Sequence, residues 1–273
     1  MVTILDGPLG TELDARGVST RLPLWSAAAI DSAPEVIAEI HRDYAAAGAT
    51  VHTANTFRTK RRTVGDRWET MARAAVRIVR ESVPVDHRVA GSIAPLEDCY
   101  RPDLSPSDPR PEHRELAKVL ADSGCDILLC ETFPHAGEAA IAVEEAVRTG
   151  VETWLALTAG PSGDLLSAEQ MSAAASVAID CGATAVLVNC TPAQVTLPFV
   201  RRLADDHPGV PIGAYANAGD VDDQVGWASD PSLGADKYLA FARSWSEAGS
   251  VLIGGCCGTG PAHIAAVARK FLP

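Results

Sequence analysis

Residues 182–192 read Gly-Ala-Thr-Ala-Val-Leu-Val-Asn-Cys-Thr-Pro. A glycine able to stop a helix is followed by a short apolar, β-branched run, which ends on residues able to do chemistry. The same joint recurs along the chain. Gly48, Gly124, Gly150 and Gly249 each stand one to three residues before another apolar run. Working outward from this pattern, strands are expected over residues 3–6, 50–54, 88–92, 126–131, 153–158, 184–189, 211–216 and 250–254. The segments between them have helical period. Pro34 suits a first helical position, with Asp31 and Ser32 as expected caps, and Val36, Ile37, Ile40 and Tyr44 recur on one face. Eight βα units predict a single (β/α)8 TIM barrel of the α/β class, one domain over residues 1–273. A doubly wound open sheet is the competing architecture.

Two segments break the rhythm. Residues 96–111 are rich in proline, and residues 217–236 are rich in glycine and aspartate. In a barrel both follow strands at the C-terminal face, where active sites are built.

Composition narrows the function. The chain has 273 residues, 47% of them hydrophobic, and a formal charge of −12. Such an acidic surface repels phosphate backbones and anionic lipid heads, so no nucleic acid and no membrane surface is expected as a partner. The longest basic run, Lys60-Arg61-Arg62, reads as a solvated helix start. No apolar stretch reaches the roughly 18–20 residues of a membrane span. The N-terminal residues lack the pattern of a signal peptide. With an odd number of cysteines, seven, a reducing, cytoplasmic setting with free thiols is expected. Oligomeric state is left open.

The strongest chemical signal is Gly254-Gly255-Cys256-Cys257-Gly258-Thr259-Gly260, after the eighth run. Neighbouring side chains on a strand point to opposite faces, so two adjacent cysteines share a metal only where the backbone bends. The flanking glycines permit that bend. Cys190, ending the sixth run, is a third thiol at the same face. Three thiolates with an open position suit a catalytic zinc; the alternative is three small buried residues. Asp6 and Glu131 end the first and fourth runs. They either hold a ligand's ammonium group, or serve as a turn residue and a structural ion pair. Cys99, Cys125, Cys130 and Cys181 read as buried or loop thiols, and His52 and His263 as satisfied histidines. Gly258-Thr259-Gly260 is too short for a phosphate loop and lacks its lysine.

Several ordered blocks resemble the homocysteine S-methyltransferase family. They are Leu5-Asp6-Gly7 with Gly10-Thr11-Glu12-Leu13, Leu24-Trp25-Ser26, Gly91-Ser92-Ile93-Ala94-Pro95, Cys130-Glu131-Thr132, Asn189-Cys190, Tyr215-Ala216-Asn217-Ala218-Gly219, and the double-cysteine block. The set spans nearly the whole chain and looks most like the cobalamin-independent branch using S-methylmethionine or S-adenosylmethionine. The resemblance implies Zn2+ as cofactor, with Cys190, Cys256 and Cys257 as its ligands. It implies homocysteine binding by Asp6, Gly7 and Glu131, and a substrate contact at Asn217, whose other reading is a plain turn. The implied partners are two small molecules, homocysteine and a methyl donor, and the implied product is methionine. Another thiol or a selenol such as selenocysteine is an alternative acceptor, and a methyl-corrinoid protein an alternative donor. Rivals of other classes are a zinc-free barrel lyase, which needs a strand-end lysine, and a thiol-sensing zinc module, which needs four protein ligands. The departures from the branch fall on the donor side. Ala216 replaces a proline, Asp222 stands where a tyrosine is common before Asp223, and residues 96–111 lack the branch's Gly- and Tyr-rich sequence.

Overall fold

The computed structural model describes residues 2–218 and 231–272, without the side chains of residues 231–233. Its strands are β1 (Thr3–Ile4), β2 (Val51–Ala54), β3 (Arg88–Ile93), β4 (Ile127–Phe133), β5 (Glu152–Leu157), β6 (Ala185–Pro192), β7 (Ile212–Asn217) and β8 (Ser250–Ile253). The helices that follow them in turn are α1 (Pro34–Ala46), α2 (Trp68–Ser82), α3 (Arg110–Asp122), α4 (Ala136–Val147), α5 (Ala168–Asp180), α6 (Ala193–Asp206), α7 (Pro231–Glu247) and α8 (Pro261–Phe271).

All strand pairs are parallel, in the order β1-β8-β7-β6-β5-β4-β3-β2. The two ends of that list meet. Leu5 bridges Val51, Thr50 N donates to Ile4 O at 2.9 Å, and Asp6 N donates to Val51 O at 3.0 Å. An open sheet would leave these groups unpaired, so the barrel of the sequence reading is the fold.

The period-2 alternation of strands sorts the core into two layers. Leu5, Val51, Ala90, Ile127, Leu129, Ala185 and Leu187 fill the barrel interior. Their neighbours, such as Ile4, Val89, Leu128, Val186 and Val188, pack outward beneath the helices. The helix-to-strand joints at Gly48, Gly124, Gly150, Gly182 and Gly249 all have positive φ, from 81° to 109°, which a side chain would disfavour.

Three local expectations need correction. Asp31 and Ser32 do not cap α1, because both lie in a preceding short helix, Ala29–Ser32, where the Ser32 hydroxyl donates to Ala28 O at 3.0 Å. The entering residue is Ala33, with no side-chain cap, and Val36 is only partly buried while Ile37, Ile40 and Tyr44 are buried. Lys60 is not solvated. It is 3% exposed, and its Nζ donates to the carbonyls of Pro95 and Leu96. Burial pushes its amine down to about 8. Only Arg61 and Arg62 face solvent, paired with Glu115, Glu97 and Glu112. Finally, α3 starts at Arg110, so Pro111 belongs to its first turn rather than to the loop.

The proline-rich loop is pinned at its base. Besides Lys60, the buried Glu138 carboxylate accepts from Leu96 N at 2.8 Å, Ser105 Oγ at 2.6 Å and His113 Nε2 at 3.1 Å. Most of the second irregular segment, with Asp222 and Asp223, lies outside the described residues. No described helix is long and apolar enough to cross a membrane.

Candidate active site

A cavity of about 350 Å³ opens at the C-terminal face of the strands. Its floor is made of sulfur. After β8 the backbone leaves the strand conformation. Gly255 N donates to Asp6 O at 3.0 Å, Cys256 N to Ala216 O at 2.9 Å, and Thr259 N closes a turn on Cys256 O at 3.0 Å. A side chain at Gly255 would collide with that of Thr259, so the bend is specific to glycine there. The turn aims Cys256 and Cys257 at the same cavity. Cys190 arrives from β6 on a register shift between Asn189 and Pro192, with φ of 49°.

The three sulfurs converge. Cys190 Sγ and Cys256 Sγ are 2.8 Å apart, and Cys257 lines the same cavity beside them. This is wider than a disulfide of about 2.05 Å. It is narrower than the sulfur separation of about 3.8 Å on a tetrahedral zinc, so a bound metal would spread the pair by about 1 Å. Hydrogen bonds from Cys190 and then Cys256 hold the Cys257 thiol far below its ordinary value. Cys190 is pushed up by its hydrogen bonds to Cys256 and Cys257 and by burial. Three adjacent thiolates repel one another, and a dication held among them would favour their ionised forms.

One wall carries two buried carboxylates. Asp6 accepts from Thr53 N at 2.8 Å and Thr53 Oγ1 at 3.2 Å. Glu131 accepts from Ser92 Oγ at 2.5 Å and Tyr215 OH at 2.9 Å. Burial raises both acids, against the lowering effect of these donors. An ammonium group between them would restore their ionised forms. Gly7 lines the same wall. A Cβ there would meet Tyr44 Oη at 2.5 Å, so this position needs glycine for packing alone.

Aromatic side chains also line the cavity: Trp25 and Phe57, the latter beside Arg58, and Tyr100, which packs near the cysteines. The rings of Trp25 and Phe57 meet edge to face, with centroids 5.9 Å apart. Trp25, Thr132 and Cys190 are the described non-glycine residues with positive φ, and all three line this cavity. Backbone strain of that kind concentrates at functional sites.

Cys190, Cys256, Cys257, Asp6, Gly7 and Glu131 therefore share one cavity. Asn217 does not line it; its Oδ1 is buried without a partner among the described residues. Cys125 and Cys130 are buried as expected, but Cys99 reaches the cavity. His263 accepts from Gly260 N at 3.1 Å and His52 contacts His87 at 3.0 Å, though His52 Nδ1 has no partner. Sequence reasoning missed Thr53, Arg58 and Tyr100. Thr53 lies near the C-terminal end of β2, and Arg58 and Tyr100 lie in the connections after β2 and β3; that placement was the available signal.

A second group, Asp6, His41 and His52, brings one ligand atom from each within 4.8 Å. It suits the substrate chemistry less well. His41 lies on the buried face of α1, His52 alternates with the interior-facing Val51, and neither lines the cavity. Burial holds both rings neutral, His41 pushed down to about 3 and His52 to about 4.

A homocysteine S-methyltransferase family model matches residues 3–271. The chain belongs to that family. Homocysteine S-methyltransferase 4 of Zea mays is 31% identical, over 97% of this chain and 88% of its own length. Homocysteine S-methyltransferase YbgG of Bacillus subtilis is 30% identical, over 97% and 93%. The homocysteine methyltransferase MmuM of Escherichia coli, solved in a metallated form, superposes with a TM-score of 0.81 at 25% identity, covering 98% of this chain and 96% of MmuM. Family membership disfavours the lyase reading. So does Lys60, the buried lysine beside the proline-rich loop, whose ammonium is engaged by backbone carbonyls.

Proposed function

We propose that this methyltransferase moves a methyl group from a sulfonium donor, S-methylmethionine or S-adenosylmethionine, to the sulfur of homocysteine, giving methionine. The observation that carries the proposal is the convergence of Cys190, Cys256 and Cys257 on the floor of a cavity walled by two buried carboxylates. Their soft sulfur donors suit Zn2+, and the end of β6 with the glycine-flanked turn after β8 supplies three ligands. Bound there, zinc supplies a Lewis acid that ionises an incoming thiol near neutral pH.

The chain's own residues do the rest. Asp6 and Glu131 hold the acceptor's ammonium group, and the backbone at Gly7 lies beside them for its carboxylate. Asn217 remains a proposed substrate contact, because its neighbour Ala218 donates to Cys257 O at 3.0 Å and so keeps it beside the cysteine turn. The acceptor sulfur, its proton gone to solvent, attacks the methyl carbon. A carbon–sulfur bond forms as the one to the donor breaks, and the donor leaves as a neutral thioether. No general acid is needed, so alignment and exclusion of water are the protein's remaining tasks. Seven free cysteines favour a reducing cytoplasmic setting.

The test is to incubate the metal-replete chain with homocysteine and each sulfonium in turn, following methionine by mass. Methionine formed with one of them supports the reading. No methionine with any sulfonium, but turnover with a methyl-corrinoid protein, contradicts it.

A further inference from the structure

Among the described residues, Arg58 is the one cationic side chain that lines the cavity, and it has no ion pair there. Its Nε is buried without a hydrogen-bond partner. Its one described contact is with its neighbour's ring, the guanidinium carbon lying 5.7 Å from the Phe57 centroid. A partly buried guanidinium without an acceptor, set beside an aromatic ring in a cavity wall, is poised for an anionic ligand group.

The cavity's charges lie at two poles. Arg58 influences Cys99 and Lys60, beneath the proline-rich loop. Asp6 and Glu131 line the same cavity, and the charge of Glu131 adds to the burial that raises Asp6. The carboxylate pole matches the acceptor's ammonium group. The same cavity is lined by the three cysteines and by the rings of Trp25 and Phe57, whose faces favour a cation such as a sulfonium.

Resting on the sulfonium reading of the preceding section, we propose that Arg58 binds the carboxylate of the methyl donor, so that the enzyme selects amino-acid sulfoniums with a free carboxylate. The donor then spans the mouth, its carboxylate on Arg58, its sulfonium against the aromatic rings and its methyl directed at the acceptor sulfur. A sulfonium lacking the carboxylate leaves the guanidinium unpaired and is discriminated against.

The experiment compares S-methylmethionine with its carboxamide, which keeps size and sulfonium but not the anion, in the zinc-loaded wild type and in Arg58→Gln and Arg58→Lys. The wild type is expected to prefer the acid by about 10–100-fold in kcat/KM, the scale of a charge-assisted bidentate contact. In Arg58→Gln the preference collapses to near unity, while homocysteine KM, zinc content and Tm stay unchanged; Arg58→Lys keeps part of it. Calorimetric binding of S-methylmethionine without acceptor weakens in parallel. An unchanged acid-to-amide ratio in Arg58→Gln overturns the inference while leaving the methyltransferase reading intact. A rise in homocysteine KM instead of donor KM also overturns it, by assigning Arg58 to the acceptor. A wild type that makes no methionine from any sulfonium removes the underlying reading, and this inference with it.

Discussion

At the floor of the cavity, each reactive group is held by buried neighbours, whereas at the mouth the lining residues come from loops and leave polar atoms unmet. Asn189 clamps Thr132 from both ends of its amide, accepting from Thr132 N at 3.1 Å and donating to Thr132 Oγ1 at 2.7 Å. Thr158 Oγ1 donates to Cys190 O at 3.2 Å, which fixes the strained residue that carries the sulfur. At the mouth, Arg58 Nε has no partner, and Leu22 is 74% exposed. Strand ends thus set which reaction runs, and loops set which molecule enters.

That contrast can be broken most directly at the floor. Cys190→Ala or Cys256→Ala is expected to lose metal and turnover together. A free thiol with a pKa of about 8.5 is only about 3% ionised at pH 7, so lost ionisation alone costs about 30-fold, before any loss of alignment. Metal analysis beside the methionine assay checks this, and metal retained without activity would separate the sulfurs from metal binding.

Next in size is Glu131→Gln, expected to lower kcat/KM for homocysteine by about 10–100-fold through loss of a charged contact to its ammonium. Metal content should not change. Because burial raises Glu131 in the ligand-free fold, its contribution to stability is present at low pH and declines as pH rises through the raised value. The neutral variant should therefore have a Tm at pH 7.5 no lower than the wild type. A large drop in Tm would make Glu131 a structural group instead. By the same sign, homocysteine KM should fall as pH rises above the ordinary carboxyl range of about 4, until the Asp6–Glu131 pair is ionised.

The base of the mouth offers a contrasting carboxylate. Burial pushes Glu138 up, but donors from His113, Ser105 and Leu96 together hold it below its ordinary value. Its stabilisation is present above the unfolded value, near 4, and is lost as pH falls through the folded one. Glu138→Ala is expected to cost about 3 kcal/mol, because three buried donors lose their acceptor. Thermal melts at pH 7.5 and pH 4 should show the gap from wild type narrowing in acid. Smallest is Tyr215→Phe, which removes one hydrogen bond from Glu131 and should lower kcat/KM for homocysteine about 3–10-fold.

How far the sequence could be read follows the same division. The barrel was legible because one joint, a helix-stopping glycine before an apolar run, repeats along the chain, and the structure gives each such glycine a positive φ. The double cysteine was legible because the glycines around it announce a bend. What stayed hidden depends on contacts between residues far apart in the chain. Nothing local reveals that Asn189 grips Thr132, or that Lys60 turns inward to meet the carbonyls of Pro95 and Leu96. Asp31 and Ser32 looked like caps because cap chemistry is local, yet a short helix formed through them first. Arg58 drew no notice because a lone arginine past a strand has no pattern of its own.

The account rests on which side chains hold the metal, and zinc X-ray absorption on the purified chain measures that. One zinc per chain in a sulfur-rich shell of three thiolates is predicted, abolished in Cys256→Ala and unchanged in His52→Ala. Zinc in a nitrogen and oxygen shell that survives Cys256→Ala and disappears in His52→Ala would contradict it, moving the metal to Asp6, His41 and His52.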